Sequence, residues 1–113
     1  MIISGGVNIY PAEIEKEMLE HPAVSEVCVI GVPDEKWGEV PVAFVVKTAM
    51  DVDEASVLDY LRLRISKIKL PRHILFIDGL PRNAYGKVLK LELRERLADL
   101  RAGKKPEPPG PHS

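Results

Sequence analysis

Gly86-Lys87 is the pair in this 113-residue chain that first invites a chemical reading, because a lysine behind a glycine is one way a loop meets a phosphate. A phosphate-binding loop of the Walker kind also needs a glycine at position 81 and a hydroxyl at 88. The chain has Pro81 and Val88 there, so that reading fails. One cysteine and three scattered histidines match no metal-ligand spacing. No Ser/Cys-His-Asp nucleophile set has support in the sequence. Trp37, Tyr10, Tyr60 and Tyr85 are dispersed, with no aromatic pair amid basic residues, so nucleic acid is not an expected partner. Two segments survive this sieve. The first runs Ile2-Ile3-Ser4-Gly5-Gly6-Val7-Asn8-Ile9-Tyr10-Pro11-Ala12-Glu13-Ile14-Glu15. The second runs Leu80-Pro81-Arg82-Asn83-Ala84-Tyr85-Gly86-Lys87-Val88-Leu89-Lys90.

Composition sets the frame in which these segments act. The length suits one domain, and 45% hydrophobic residues are enough for a globular core. No apolar run approaches the roughly 20 residues of a membrane span, and no signal peptide is legible. A single cysteine, Cys28, implies a reducing compartment, with a cytoplasmic location as the expectation, and its apolar neighbours mark it as buried filler. The net charge of −1 conceals a division. Residues 1–59 carry 3 basic and 12 acidic side chains, residues 60–105 carry 13 and 4. Either the basic half meets an anionic partner, or its charges pair with the acidic half inside one domain.

The elements that must position the two segments follow from local patterns. Ile2 and Ile3 form a short strand end, and Gly5-Gly6 gives a tight turn. Pro11 to Glu20 reads as a helix with proline at its first position, Glu13, Glu15 and Glu17 toward its positive end and an apolar face of Ile14, Met18 and Leu19. His21-Pro22 closes it, with His21 structural. Val24 to Val32 is a β-branched strand ended by a Pro33-Asp34 turn. Pro41 to Lys47 is a second strand, apolar on both faces and therefore central. Asp51-Val52-Asp53-Glu54 has the spacing of a capping box, and Val57, Leu58, Leu61 and Ile65 follow at helical spacing. A third strand covers Arg72 to Ile77. Leu89, Leu93, Leu97 and Leu100 form one stripe of a last helix that Gly103 stops. The expectation is an α+β domain over residues 1–102: about three strands plus an N-terminal hairpin, packed with about three helices. Residues 103–113 are expected to be a disordered, proline-rich tail.

The two segments, taken with Pro33-Asp34-Glu35-Lys36-Trp37-Gly38-Glu39 between them, resemble the C-terminal domain of the acyl-adenylate-forming enzymes. That superfamily holds acyl-CoA synthetases, nonribosomal adenylation domains and luciferases, and the middle motif is similar to the acyl-CoA synthetase branch. The likeness spans residues 1 to about 101 with all three motifs in register. It implies the mobile lid of an enzyme joining a carboxylic acid, ATP and CoA into acyl-CoA, AMP and pyrophosphate, with a fatty acid as one candidate substrate. Lys87 would be the catalytic lysine of adenylation, a mobile charge between two anions, against the alternative of a solvated turn lysine. Gly86 would let that loop approach the adenylate. Gly5, Gly6 and Asn8 would line the CoA channel in the second half-reaction, although Asn8 is equally a turn-former beside the glycines. Lys67, Lys69 and Arg72 are candidates for CoA phosphates or ordinary surface charge.

The same resemblance sets out what this chain lacks. No phosphate loop, adenine motif or hinge residue lies in it, so a large N-terminal domain is expected to hold ATP, Mg2+ and the acid, and the isolated chain is expected to be inactive. Met1 stands where relatives often have methionine just past the hinge. A lid that loads a carrier-protein thiol and a stand-alone non-catalytic binding module are the alternatives. Lys87 is also an expected target of a lysine acetyltransferase, and no resident metal site is expected in the chain itself.

Overall fold

The computed structural model describes residues 1–49 and 51–101. Their Cα positions group into two compact units, Met1–Leu80 and the segment from Pro81 on. The expected tail, and Gly103 as a helix stop, lie outside the described residues.

The first unit opens with strands β1 (Ile2–Ser4) and β2 (Val7–Ile9), antiparallel with Ile2 opposite Ile9 and Ser4 opposite Val7. Gly5 and Gly6 join them with φ of 56° and 84°. Positive φ at both positions is the geometry of a two-residue hairpin turn whose twist suits its strands. Helix α1 (Pro11–Leu19) follows, with Ile14 and Met18 buried. Strand β3 (Val24–Asp34) pairs antiparallel with β4 (Gly38–Lys47) from Val24 opposite Lys47 to Asp34 opposite Gly38. Helix α2 (Glu54–Arg62), a turn of 3-10 helix at Lys67–Lys69 and strand β5 (His73–Phe76) complete the unit.

Strand β4 is the centre of the five-stranded sheet. Along one edge it pairs with β3. On the other it takes β1 at Gly38 and, in parallel, β5 from Val42 to Val45. Six consecutive residues of β4, Val40 to Val45, are buried, as a strand apolar on both faces requires. The core gathers Ile9, Ile14, Met18, Val29, Val45, Val57 and Leu61. Ile14→Val removes one methylene from a fully buried site. We expect it to cost about 0.5–1.5 kcal/mol in denaturant unfolding.

Three local readings are corrected. Strand β3 does not stop before Pro33 but runs through it to Asp34. The Asp34 carboxylate then accepts from the backbone N–H of Lys36 (3.0 Å) and Trp37 (2.8 Å), and this makes the turn. The α2 cap is Asp53, two residues beyond the capping box that begins at Asp51. Its Oδ1 accepts from Ser56 N at 2.8 Å, while Glu54 accepts from Ile74 N on β5. Of Glu13, Glu15 and Glu17 only Glu13 lies in the first turn of α1, and all three are tied elsewhere: Glu15 accepts from Val29 N, Glu13 pairs with Lys69 and Glu17 with Arg64.

The Ser56 N–H holds the Asp53 carboxyl below its ordinary value of 3.8. A group with a depressed folded pKa adds stability above its unfolded value, and that contribution fades as pH falls through the folded one. Asp53→Asn keeps an acceptor oxygen but has no titration. Its acid unfolding curve is expected to be flatter than wild type in the window below pH 3.8, read by circular dichroism.

In the second unit, Arg82 and Val88 form one antiparallel bridge around a loop, and helix α3 (Lys90–Arg101) follows. Leu93 and Leu97 of the expected stripe are buried, Leu89 lies ahead of the helix and is exposed, and the side chain of Leu100 falls outside the described set.

Candidate functional site

The hairpin turn is held by the segment that opens β4. Gly5 N donates to Trp37 O at 2.8 Å, and Ile3 N donates to the Glu39 carboxylate at 3.0 Å. A Cβ on Gly5 would lie 2.6 Å from Cε3 of the Trp37 ring, so the indole packs directly on the Gly5 backbone. Gly6 differs: a Cβ there would meet nothing within 4 Å, so its backbone faces open space. Asn8 is exposed on β2, opposite Ile3. Within this motif, then, Gly5 is required by packing and by φ, whereas Gly6 is available to an approaching ligand. Nothing in the sequence separated the two.

Beside the same tryptophan lies an open groove of ≈ 740 Å³, walled by Lys36, Trp37, Arg62, Lys67, Leu70 and Arg72 among others. The Lys36 ammonium sits 5.2 Å and the Arg72 guanidinium 5.6 Å from the Trp37 ring centroid. Arg62 pairs with Asp59. Among the described residues no carboxylate lies within ion-pair distance of Lys36, Lys67 or Arg72. The groove is therefore a concave surface with uncompensated positive charge, a setting that attracts anions. Lys67 and Arg72 were expected here. Lys69 lies outside the groove's lining, its ammonium 2.9 Å from Glu13. Lys36 and Arg62 were missed, because one sits in a turn and the other at a helix end, and no spacing in the sequence links them. The division of charge is thus resolved both ways. Arg64 and Lys69 pair with Glu17, Glu20 and Glu13 of α1 and its C-cap, while Lys36, Lys67 and Arg72 have no carboxylate partner among the described residues.

The lysine loop of the second unit is built around Asn83. Its side-chain oxygen accepts from Tyr85 N (2.8 Å) and Lys87 N (3.0 Å), and its backbone carbonyl accepts from Gly86 N (3.0 Å). Asn83 N donates to Lys87 O at 2.9 Å, and the Arg82 guanidinium donates to Gly86 O at 2.8 Å. Gly86, at φ 83°, makes the reversal possible. Arg82 and Asn83 shape the loop, as expected. Lys87 is exposed, and its ammonium has no partner among the described residues. A rigid backbone carrying a free ammonium is a mobile point charge on a fixed base. Asn83→Ala leaves two N–H groups to water. The loss of about 1 kcal/mol should speed amide exchange at Tyr85 and Lys87 about fivefold.

Residues 13–87 match the profile of the AMP-binding enzyme C-terminal domain. The chain belongs to that family. The chain is 51% identical over 98 residues to the long-chain-fatty-acid–CoA ligase FadD13 of Mycobacterium tuberculosis. That alignment covers 87% of the chain and 20% of the ligase. The 2-succinylbenzoate–CoA ligase of Bacillus cereus is 48% identical over 100 residues, covering 88% and 21%. Among solved structures, apo MatB from Rhodopseudomonas palustris superposes with a TM-score of 0.82 at 46% identity, covering 87% of the chain and 20% of that protein. The chain spans about a fifth of the length of the curated relatives it matches. It corresponds to the C-terminal domain of adenylate-forming acyl-CoA ligases. Among the described residues no helix is long and apolar enough to cross a membrane.

Proposed function

We propose that this domain is the mobile lid of an AMP-forming acyl-CoA synthetase. Its two exposed features would act in turn, with a larger N-terminal domain as partner. The observation that carries the reading is Lys87: an exposed ammonium, without a partner among the described residues, on a loop pinned by Asn83 and Arg82. Bringing a carboxylate to the α-phosphate of ATP forces two anions together. A lysine between them is worth most as charge builds in a site closed to water. The larger domain would supply the pockets for ATP, Mg2+ and the acid. After adenylate forms, hinge rotation would withdraw Lys87 and present the glycine turn. Gly6, with open space where a side chain would stand, would then pass the pantetheine arm of CoA, with Asn8 beside it. The groove of Lys36, Arg62, Lys67 and Arg72 fits the phosphorylated nucleotide end of the same molecule. Lys69, already engaged by Glu13, would contribute background charge. CoA as the thiol acceptor is supported by the CoA ligases among the relatives. The exposed ammonium of Lys87 is also open to acetylation, which would remove its charge and stop the first step.

The test is a chimera in which this chain replaces the matching region of the Mycobacterium tuberculosis fatty-acyl ligase. Acyl-CoA formation from ATP, a long-chain acid and CoA is expected well above that of the truncated N-terminal part. A folded chimera no faster than the truncated part would return the chain to the class of non-catalytic binding modules. Acyl transfer to a carrier-protein thiol, with none to CoA, would favour the adenylation-domain lid instead.

A further inference from the structure

We infer that Trp37 is a positioning residue that couples occupancy of the basic groove to the conformation of the Gly5-Gly6 turn. The inference rests on the reading above, in which the groove takes the nucleotide end of CoA and the turn takes its arm. One face of the matter is the groove: Trp37 is part of its wall, with the Lys36 and Arg72 cations 5.2 and 5.6 Å from its ring centroid. An anion bound there competes with the indole for both cations. The other face is the turn. The ring stands so close to Gly5 that a Cβ would lie 2.6 Å from Cε3 and 2.9 Å from Cζ3. Trp37 O also accepts from Gly5 N at 2.8 Å, and Ser4 pairs with Gly38 directly behind it. Packed atoms with no slack pass on displacement instead of absorbing it. A shift of the indole on binding therefore moves the Gly5 backbone; the groove and the turn then share one equilibrium, and linkage makes the effect reciprocal.

The experiment uses the 113-residue chain itself, labelled with 15N. The probe is adenosine 3′,5′-bisphosphate, the nucleotide end of CoA without the pantetheine arm, so no arm can touch the turn. In the wild-type chain the amides of Gly5 and Gly6 are expected to shift together with those of Lys67, Leu70 and Arg72, along a single binding curve. Trp37→Leu should keep the groove shifts and lose those at the turn, while Trp37→Phe, which keeps an aromatic face on Gly5, retains both. Reciprocity gives a second arm. Gly5→Ala, whose methyl meets the ring, should weaken bisphosphate binding about fivefold or more, the lower end of ordinary coupling.

Groove shifts with a silent turn in the wild type would overturn the inference and leave the groove reading standing. So would a Gly5→Ala chain that binds the bisphosphate as tightly as the wild type. Absence of any groove shift at millimolar bisphosphate would sink the groove reading itself, and the coupling with it. Should Gly5→Ala fail to fold, the wild-type titration and the two Trp37 variants still decide the matter.

Discussion

Lys87→Ala in the chimeric ligase is expected to cut acid-dependent pyrophosphate release by about 10²–10³-fold, the cost of removing one charge-stabilising donor from a preorganised site. CoA-dependent turnover of a pre-made acyl-adenylate should stay near the unsubstituted rate. The asymmetry follows from where the positive charge is needed. In the first half-reaction a carboxylate attacks a phosphorus already surrounded by anionic oxygens. In the second a neutral or weakly charged thiol displaces AMP, and the lysine loop is not required at the reacting carbon. The loop's hydrogen bonds, from Lys87 N to Asn83 Oδ1 and from Arg82 to Gly86 O, involve no atom of the Lys87 side chain. Truncation therefore removes charge without unpinning the backbone, and the melting temperature should not move. Lys87→Arg keeps the charge but substitutes a planar fork for a compact ammonium, so it should restore only part of the rate. Equal losses in both half-reactions would mean that the lysine supports the fold or the hinge, and the assignment would fall.

What could be read from the sequence divides along physical lines. The helices and strands were legible because their signals are local. Ile14 and Met18 sit one turn apart on α1, and Val42 to Val45 form a run that only a strand covered on both sides can hold. The lysine loop was legible for the same reason, a short segment whose backbone is shaped by its own residues, Asn83 above all; the glycines marked the hairpin turn, but not the Trp37 contact that holds it. Long-range partners were not legible. Asp51-x-x-Glu54 satisfies the capping-box spacing, yet Glu54 is drawn to Ile74 N on β5, 20 residues away, and Asp53 is left to cap the helix. Lys69 looked like a phosphate ligand until Glu13, 56 residues earlier, was found beside it. The groove joins a turn, a helix end and a strand entry through Trp37, and no periodicity announces such a junction.

The same distinction bears on energetics. The pairs that tie α1 to the basic half, Glu17 and Glu20 with Arg64 and Glu13 with Lys69, all involve partly exposed side chains. Such pairs are worth about 0–1 kcal/mol each. They neutralise charge more than they stabilise the fold. In the proposed function their consequence is selective: they would remove Arg64 and Lys69 from competition for an anion and leave Lys36, Lys67 and Arg72 to focus it on one groove.

Gly6→Val should produce the mirror image of the lysine variant: adenylation preserved, and thioester formation from pre-made acyl-adenylate lowered by about 10²-fold, the order expected when a reacting group is displaced by about an ångström. Two separate physical effects contribute. At φ 84° a β-branched residue is strained, so the hairpin shifts toward other turn geometries. The branch also fills space that is now empty within 4 Å, where the pantetheine arm would pass in the proposed function. The two can be separated. Gly6→Asn tolerates the left-handed conformation better than valine but still adds a side chain. If obstruction dominates, both variants slow the thioester step; if strain dominates, asparagine recovers most of the rate. A Gly6→Val chimera that forms acyl-CoA from the adenylate at full speed would show that the arm takes another path. The open backbone at Gly6 would then be a requirement of the hairpin turn alone.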